Sequence, residues 1–322
     1  MQLPVDLDRN TAVDLATQHA ANPARGADGP ESARQLRDLL GPALDGEVNG
    51  PAIDVVDIGA NPIDGDPPYR SLLDTGLCRV TGFEPQPQAL ADLRRQAGPN
   101  ERYLPYAVGD GGRHTLHVCA SSGFASLLAP DDDQLDLLID FPALAEVTGR
   151  HPVDTMRLDD IEEIGTIDLL KIDIQGGELS VLRAGRQKLG RAVAVQTEVG
   201  FHRLYRDQPT FADVDLELRA QGFIPHQFVS TRTWPIAPVV WADPLQRAAR
   251  QLVEADLLYV RDPVRFNVLD SGQLGRLAVI SDGVYGSFGL ALRCVLELIV
   301  REVLDPAAEH RYRALATSRL PS

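Results

Sequence analysis

The sequence predicts an α/β fold: a doubly wound, mostly parallel seven-stranded sheet with an antiparallel strand near its C-terminal end, plus helical N- and C-terminal extensions. Three observations predict it. From Val55 to Glu84 the chain reads as a strand, a tight turn, a helix and a second strand ending in an acid, the unit from which a parallel sheet builds a nucleoside pocket. Apolar strand-like runs then alternate with helical periodicity through five β-α repeats, which implies a parallel sheet. The last two strands are joined by a loop rich in Pro and Trp instead of a crossover helix, so at least one of them runs antiparallel.

Taken in order, residues 1–50 form a helical extension. Helical patterns near Thr11–Ala21 and Glu31–Leu44 flank a loop from Asn22 to Pro30, and Gly46–Pro51 is the joint to the main domain, residues 51–262. Strands are expected at Ile53–Ile58, Arg79–Phe83 and Arg102–Val108, followed by a hairpin excursion with Thr115–Val118 as one arm. Leu127–Thr148 reads as partly helical, starting at Asp131-Asp132-Asp133, because acids favour a helix N-terminus. Ile167–Asp173 is almost uniformly apolar, as in a strand buried on both faces. Glu178–Leu189 has helical periodicity through Leu179, Leu182 and Leu189. A strand at Ala192–Val199 and a helix at Phe211–Gln221, stopped by Gly222, come next. Phe223–Val229 and Leu257–Val260 are the last strands, with a loop at Thr231–Pro244 and a short helix at Leu245–Leu252 between them. The extension 263–322 carries helical patterns near Gln273–Ser281 and Leu290–Leu304. Their apolar faces would cap the sheet edge, cover the substrate mouth or make a homo-oligomer contact, and packing on the chain's own core is the commonest outcome.

The chain has 322 residues and is 44% hydrophobic, enough for a sizeable core. Its formal charge of −15 argues against general binding to nucleic acid or to an anionic membrane surface. Cys78, Cys119 and Cys294 are scattered and odd in number, with neither a disulfide framework nor zinc spacing, which points to a reducing, cytoplasmic setting. No apolar run approaches the ~20 residues of a membrane span, and the first residues lack the basic-then-apolar pattern of a signal peptide. Lys171 and Lys188 are the only lysines.

The turn after the first strand is the sharpest motif. Gly59 lets backbone approach a ligand without a Cβ in the way. A dinucleotide site would continue as G-x-G-x-x-G, but Asn61 and Pro62 stand there, which disfavours a pyrophosphate. A nucleoside without phosphates, such as S-adenosylmethionine, has no such requirement. Glu84 lies 25 residues after Gly59, at the end of the second strand, where a carboxylate accepts hydrogen bonds from both ribose hydroxyls. The plainer reading is that Gly59 only turns the chain.

Asp173 closes the buried run Asp168–Asp173 at its carboxyl end, where ligands sit in open α/β sheets. Gly176-Gly177 permits close backbone approach, and Glu178 opens the next helix, where capping is its expected role. Leaving the fifth strand, Glu198 and His202 are placed to project over the same pocket, and His has the unperturbed pKa of a general base. An ordinary loop His is the competing reading. Asp173 and Glu198 also offer oxygen ligands for a divalent cation, but two carboxylates alone do not specify one, so no metal is expected.

These residues resemble the FkbM-type S-adenosylmethionine-dependent methyltransferases, which have the Rossmann-like class I methyltransferase fold. The resemblance rests on Val56–Asn61, Gly82–Pro85, Ala107–Asp110, Asp168–Leu182, Phe201–Phe223 and Glu254–Val260, and spans about 210 residues. It implies O-methylation of a hydroxyl on a sugar, glycan or natural-product scaffold. It also implies that Asp57, Gly59, Ala60 and Asn61 form the cofactor loop, that Glu84 and Pro85 meet the ribose, and that Asp110 lies near the adenine. Two departures stand out: Gln175 occupies a position where the family usually carries an acid, and Pro62 stiffens the cofactor turn.

The expected activity is in-line methyl transfer from S-adenosylmethionine to an oxygen, with His202, then Asp173 and Glu198, as candidate catalytic groups. The alternatives are a nicotinamide-dependent oxidoreductase, disfavoured by the broken glycine pattern, and a non-catalytic interaction module that kept the sheet and lost the chemistry.

Overall fold

The computed structural model describes residues 30–44, 52–61, 65–239, 245 and 250–320. The expected helix at Thr11–Ala21, the loop before Pro30, the joint at Gly46–Pro51, and Pro62 lie outside the described residues. In chain order the elements are α1 (Pro30–Leu40), β1 (Ile53–Ile58), α2 (Arg70–Asp74), β2 (Cys78–Phe83), α3 (Pro87–Gln96), β3 (Glu101–Leu104), β4 (Ala107–Gly109), β5 (Arg113–Cys119), α4 (Asp132–Leu135), α5 (Phe141–Leu144) and β6 (Val147–Arg157). There follow β7 (Leu169–Ile172), α6 (Glu178–Ala184), β8 (Ala194–Gly200), α7 (Phe211–Ala220), β9 (Phe223–Pro235), β10 (Arg250–Arg261), α8 (Ser271–Gly283), α9 (Phe288–Val300) and α10 (Ala307–Thr317).

Seven strands form one sheet in the order β3-β2-β1-β7-β8-β10-β9. The pairs from β3 to β8 are all parallel, while β10 runs antiparallel to both β8 and β9. The order reverses between β1 and β7, and this topological switch point is where an open α/β sheet leaves a crevice at its strand ends. The expected doubly wound sheet with an antiparallel strand near its end is therefore the one observed.

Side chains alternate across the sheet with period two. Val56, Ile58, Leu170, Ile172, Val195 and Tyr259 face a core closed by Leu179 and Leu182 of α6 and by Val214 and Leu218 of α7. Ile53, Val55, Leu169, Ala194, Leu258 and Val260 face the other core. That second core is covered by both chain extensions: Leu36 and Leu40 of α1, Leu274 and Leu277 of α8, Leu298 of α9 and Tyr312 of α10. Asp282 joins them, with a side chain fully enclosed against Arg319 (2.6 Å) and the Tyr312 hydroxyl (2.8 Å).

Several expectations are corrected. The stretch Arg102–Val108 splits into β3, at the sheet edge, and β4, which pairs with β6 in a separate three-stranded sheet. The expected hairpin arm, β5, pairs antiparallel with β6, which begins at the end of the stretch Leu127–Thr148 that the sequence suggests is partly helical. β6 is mostly polar and solvent-facing with Pro152 at its centre, so it carries little apolar signal. Thr231–Pro235 is strand instead of loop: β9 continues there and pairs with β10 from Arg250 onward. Arg250–Leu252 is likewise strand, not helix, while residues 246–249 of that expected helix lie outside the described residues. The sequence pattern gave no sign of α10.

Candidate active site

The β1 turn is built as the sequence implies. Gly59 adopts φ +80°, and a Cβ placed there would lie 2.0 Å from the Asp173 carbonyl oxygen, so only glycine fits. The amides of Gly59 and Ala60 both donate to the Phe83 carbonyl, at 3.2 and 3.1 Å, which ties the turn to the end of β2. There Glu84 is only 4% exposed and accepts a bond from the Gln86 amide at 2.7 Å. Burial raises its carboxyl above the ordinary value, and that amide bond opposes the rise.

A cavity of about 440 Å³ opens at the switch point. Asp57, Gly59, Ala60, Asn61, Glu84, Pro85 and Asp173 all line it, so seven of the eight expected cofactor residues converge. Asp110 is not among the lining residues. Its carboxylate instead holds His114 at 2.7 Å and the Gly112 amide at 2.8 Å, with the His114 bond the chief influence lowering its pKa.

Charge is dense beneath the turn. Asp57 is buried; its Oδ2 accepts from the Tyr69 hydroxyl at 2.6 Å and its Oδ1 lies 3.3 Å from Lys171 Nζ. Burial works to lower the Lys171 pKa, but the carboxylates of Asp57, Asp173 and Asp256 outweigh it and hold the ammonium charged.

Across the cavity, β8 and β10 supply a second polar group. Glu198 lies opposite Asp256 in register, and Glu254 opposite Gly200. Glu254 is paired with Arg232 at 2.8 Å, and Asp256 accepts from the Ser230 hydroxyl at 2.7 Å. Gln196 lines the cavity and is held from below by the Tyr285 hydroxyl at 3.0 Å. Above them, Trp234 packs on Phe141 with ring centroids 4.7 Å apart, and Phe141 packs edge-on against Phe124 at 5.1 Å. The Trp234 indole N–H donates to the Ile139 carbonyl at 2.7 Å, which fixes its ring.

Of the expected catalytic residues, Asp173 faces the cavity. Glu198 sits behind it, linked through Gln175, whose amide nitrogen lies 3.1 Å from Asp173 Oδ1 and 3.2 Å from Glu198 Oε2. Burial, then the neighbouring acids Glu254, Asp173 and Glu178, push the Glu198 carboxyl well above its ordinary value. His202 is not brought to the cavity: it lies outside the lining, with its Nε2 3.0 Å from the Gln134 carbonyl oxygen. Carboxylate oxygens of Asp173, Glu178 and Glu198 lie within 4.8 Å of one another, a set of hard donors of the kind a divalent cation takes. Glu178 Oε1, however, already accepts from the Ile174 and Gly176 amides, at 2.9 and 3.2 Å, as a cap on that turn.

Sequence reasoning missed Lys171, Arg232, Glu254, Asp256 and Tyr69 as site residues. Glu254-Ala255-Asp256 did carry a signal: two acids spaced by two on a strand share one face. Arg232 carried none, because its segment reads as a loop.

The family model described as the methyltransferase FkbM domain matches residues 57–225. The 2-O-methyltransferase NoeI of Sinorhizobium fredii (strain NBRC 101917 / NGR234) is 32% identical over 176 residues, covering 50% of this chain and 70% of the relative. Among solved structures, methyltransferase FkbM from Methylobacillus flagellatus KT aligns at 16% identity with a TM-score of 0.32, covering 65% of this chain and 43% of that one. Magnesium protoporphyrin IX methyltransferase (ChlM) from Synechocystis PCC 6803 aligns at 11% identity with a TM-score of 0.34, covering 81% of this chain and 100% of that one. The matched stretch begins at Asp57, on the strand that feeds the cavity, and runs into β9. The chain belongs to the FkbM methyltransferase family.

Proposed function

We propose that this chain transfers a methyl group from S-adenosylmethionine to a hydroxyl of a sugar, glycan or natural-product scaffold. The observation that carries the reading is one continuous cavity with two unlike ends. One end has the Gly59 turn and the buried Glu84; the other has aromatic rings, carboxylates and a guanidinium.

The first end fits an adenosine. Glu84 would accept from the two ribose hydroxyls, and the Gly59–Asn61 backbone would pass beside the amino-acid portion. When bound, S-adenosylmethionine supplies an electrophilic methyl on a sulfonium. The chain's own residues then hold the acceptor oxygen near and in line, which accounts for much of the rate in such displacements.

The second end suits a polyol. Trp234, its ring fixed by Phe141 and Ile139, offers an apolar face to a sugar ring. Asp256, Glu254 and Arg232 offer acceptors and donors to hydroxyls at its edge. Asp173 lines the cavity, which supports it as the group that takes the hydroxyl proton. His202, held at Gln134 outside the cavity, is the weaker candidate. The name of the related 2-O-methyltransferase is in keeping with an oxygen acceptor.

The test is calorimetric titration with S-adenosylhomocysteine, followed by incubation with methyl-labelled cofactor and a panel of glycans and glycosides. Binding with a Kd at or below the micromolar range, and label on an oxygen, are expected. Binding of NADH instead, or label only on nitrogen or carbon, would reject the proposal.

A further inference from the structure

The cofactor turn has a brace that motif reading does not assign. Lys171 lies beside Asp57 in the register of β1 and β7, and its side chain is only 15% exposed. Its Nζ is 3.2 Å from the Gly59 carbonyl oxygen and 3.3 Å from Asp57 Oδ1. The other lysine, Lys188, also donates to a carbonyl, that of Ile164 at 2.7 Å, but on a connection remote from the cavity lining.

The Gly59 carbonyl needs such a partner. The turn's amides are fixed by the Phe83 carbonyl, and the Ile58 carbonyl accepts from the Asp173 amide at 3.0 Å. The next carbonyl, that of Gly59, points off the end of the ladder. The Gly59–Ala60 peptide unit is held on its amide side by the bond from the Ala60 N–H to the Phe83 carbonyl, at 3.1 Å. The Lys171 ammonium holds the carbonyl side of the same unit, so the plane is fixed from both ends. A lysine fits this position because it donates only, reaches far, and places a point charge instead of a planar fork.

We propose that Lys171 is a positioning residue that presets the cofactor turn by holding the Gly59 carbonyl, with Asp57 as its counter-ion and Tyr69 as the group that orients Asp57. The role rests on the methyltransferase reading for what the turn holds. It has two separable parts. The pairing with Asp57 balances two buried charges, and its loss destabilises the fold. The bond to Gly59 sets the loop, and its loss weakens the ligand because loop ordering must then be met on binding.

The experiment uses the full chain, with melting temperature and S-adenosylhomocysteine Kd as its two readouts. Lys171→Met alone leaves Asp57 buried without a counter-ion, so both readouts should worsen. The double variant Lys171→Met/Asp57→Asn removes both charges, so its melting temperature should return toward wild type. Its Kd should stay at least tenfold weaker than wild type, because Gly59 still lacks its ammonium. A double variant that recovers stability and wild-type affinity together would overturn the positioning role, as would a Lys171→Met protein that melts lower but binds as wild type. A wild-type protein that does not bind S-adenosylhomocysteine takes down the cofactor reading and this role with it.

Discussion

Gln175 donates its amide to Glu198, at 3.2 Å from Oε2, and in the same pose reaches Asp173 at 3.1 Å. Its own carbonyl oxygen accepts from the Tyr205 hydroxyl at 3.2 Å. The residue adopts φ +57°, an unusual conformation for a side-chain-bearing residue. The Ser126 hydroxyl donates to its backbone carbonyl at 2.6 Å and so fixes it. The glutamine at this position thus has a structural meaning. A neutral donor sits between two carboxylates, where a third acid would add charge to a buried group.

Gln175→Glu should therefore destabilise the protein, and more at pH 8 than at pH 5, because burial raises the Glu198 carboxyl and leaves it less charged at the lower pH. A loss of roughly 2–4 kcal/mol at the higher pH fits the cost of an unpaired buried charge. Thermal melts at both pH values check it; an equal loss at the two would show that charge is not the cause.

Glu84→Ala should weaken S-adenosylhomocysteine by about 10- to 100-fold, the ~1.5–3 kcal/mol that hydrogen bonds to a charged group contribute. Its melting temperature in the absence of ligand should change little or rise, since a buried carboxyl with one amide partner is removed. Calorimetry and a melt on the same sample separate the two effects. Wild-type affinity in this variant would count against the ribose assignment.

Asp173→Asn should lower turnover by at least 100-fold, the usual range for a lost general base, while His202→Ala should lower it by less than fivefold. Initial rates with labelled cofactor decide between them. The larger loss falling on His202 would restore the order that the sequence alone suggests.

Much of this site is legible in the chain because it obeys local rules. Gly59, Glu84 and Asp173 all end strands in a parallel sheet, so their positions follow from topology once the strands are placed. His202 departs from expectation for a physical reason: it follows β8 by two residues, and the chain turns there toward Gln134 instead of over the cavity. The far end of the cavity, the proposed acceptor side, depends on β9 and β10 being 13 and 12 residues long. Their outer halves are polar, and their pairing across Thr231–Pro235 is stabilised by the partner strand, not by local propensity. Two of the C-terminal helices are legible as helices, but nothing local says that they cover one whole face of the sheet.

That face gives a stability prediction. Leu298 is fully buried in the core that α8–α10 and α1 build against the sheet. Leu298→Ala should cost ~2–5 kcal/mol, as deeply buried leucines do. Removing residues 264–322 should leave no cooperative unfolding transition, because Ile53, Val55, Leu169 and Leu258 would face water. A truncated chain that melts cooperatively would show the extension to be dispensable.

The buried acids also set a pH dependence of stability. Burial, opposed by the Ile174 amide, raises Glu178 to about 7, and burial raises Glu254 in the same direction as Glu198. In the unfolded chain such an acid titrates near 4.5. Between the two values the folded protein holds protons that the unfolded chain has released. Stability is therefore greatest at or below the unfolded value and declines as pH rises toward and through 7. Denaturant midpoints at pH 5, 6, 7 and 8 should fall in that order. In Glu198→Gln the fall should be shallower, because one of the buried acids no longer titrates and its neighbours lose a nearby charge. A midpoint that stays level across this window would mean that the carboxylates are already ionised in the fold and held by Arg232 and Lys171, and the cluster would then act as a fixed negative wall for a cationic ligand instead of a proton store.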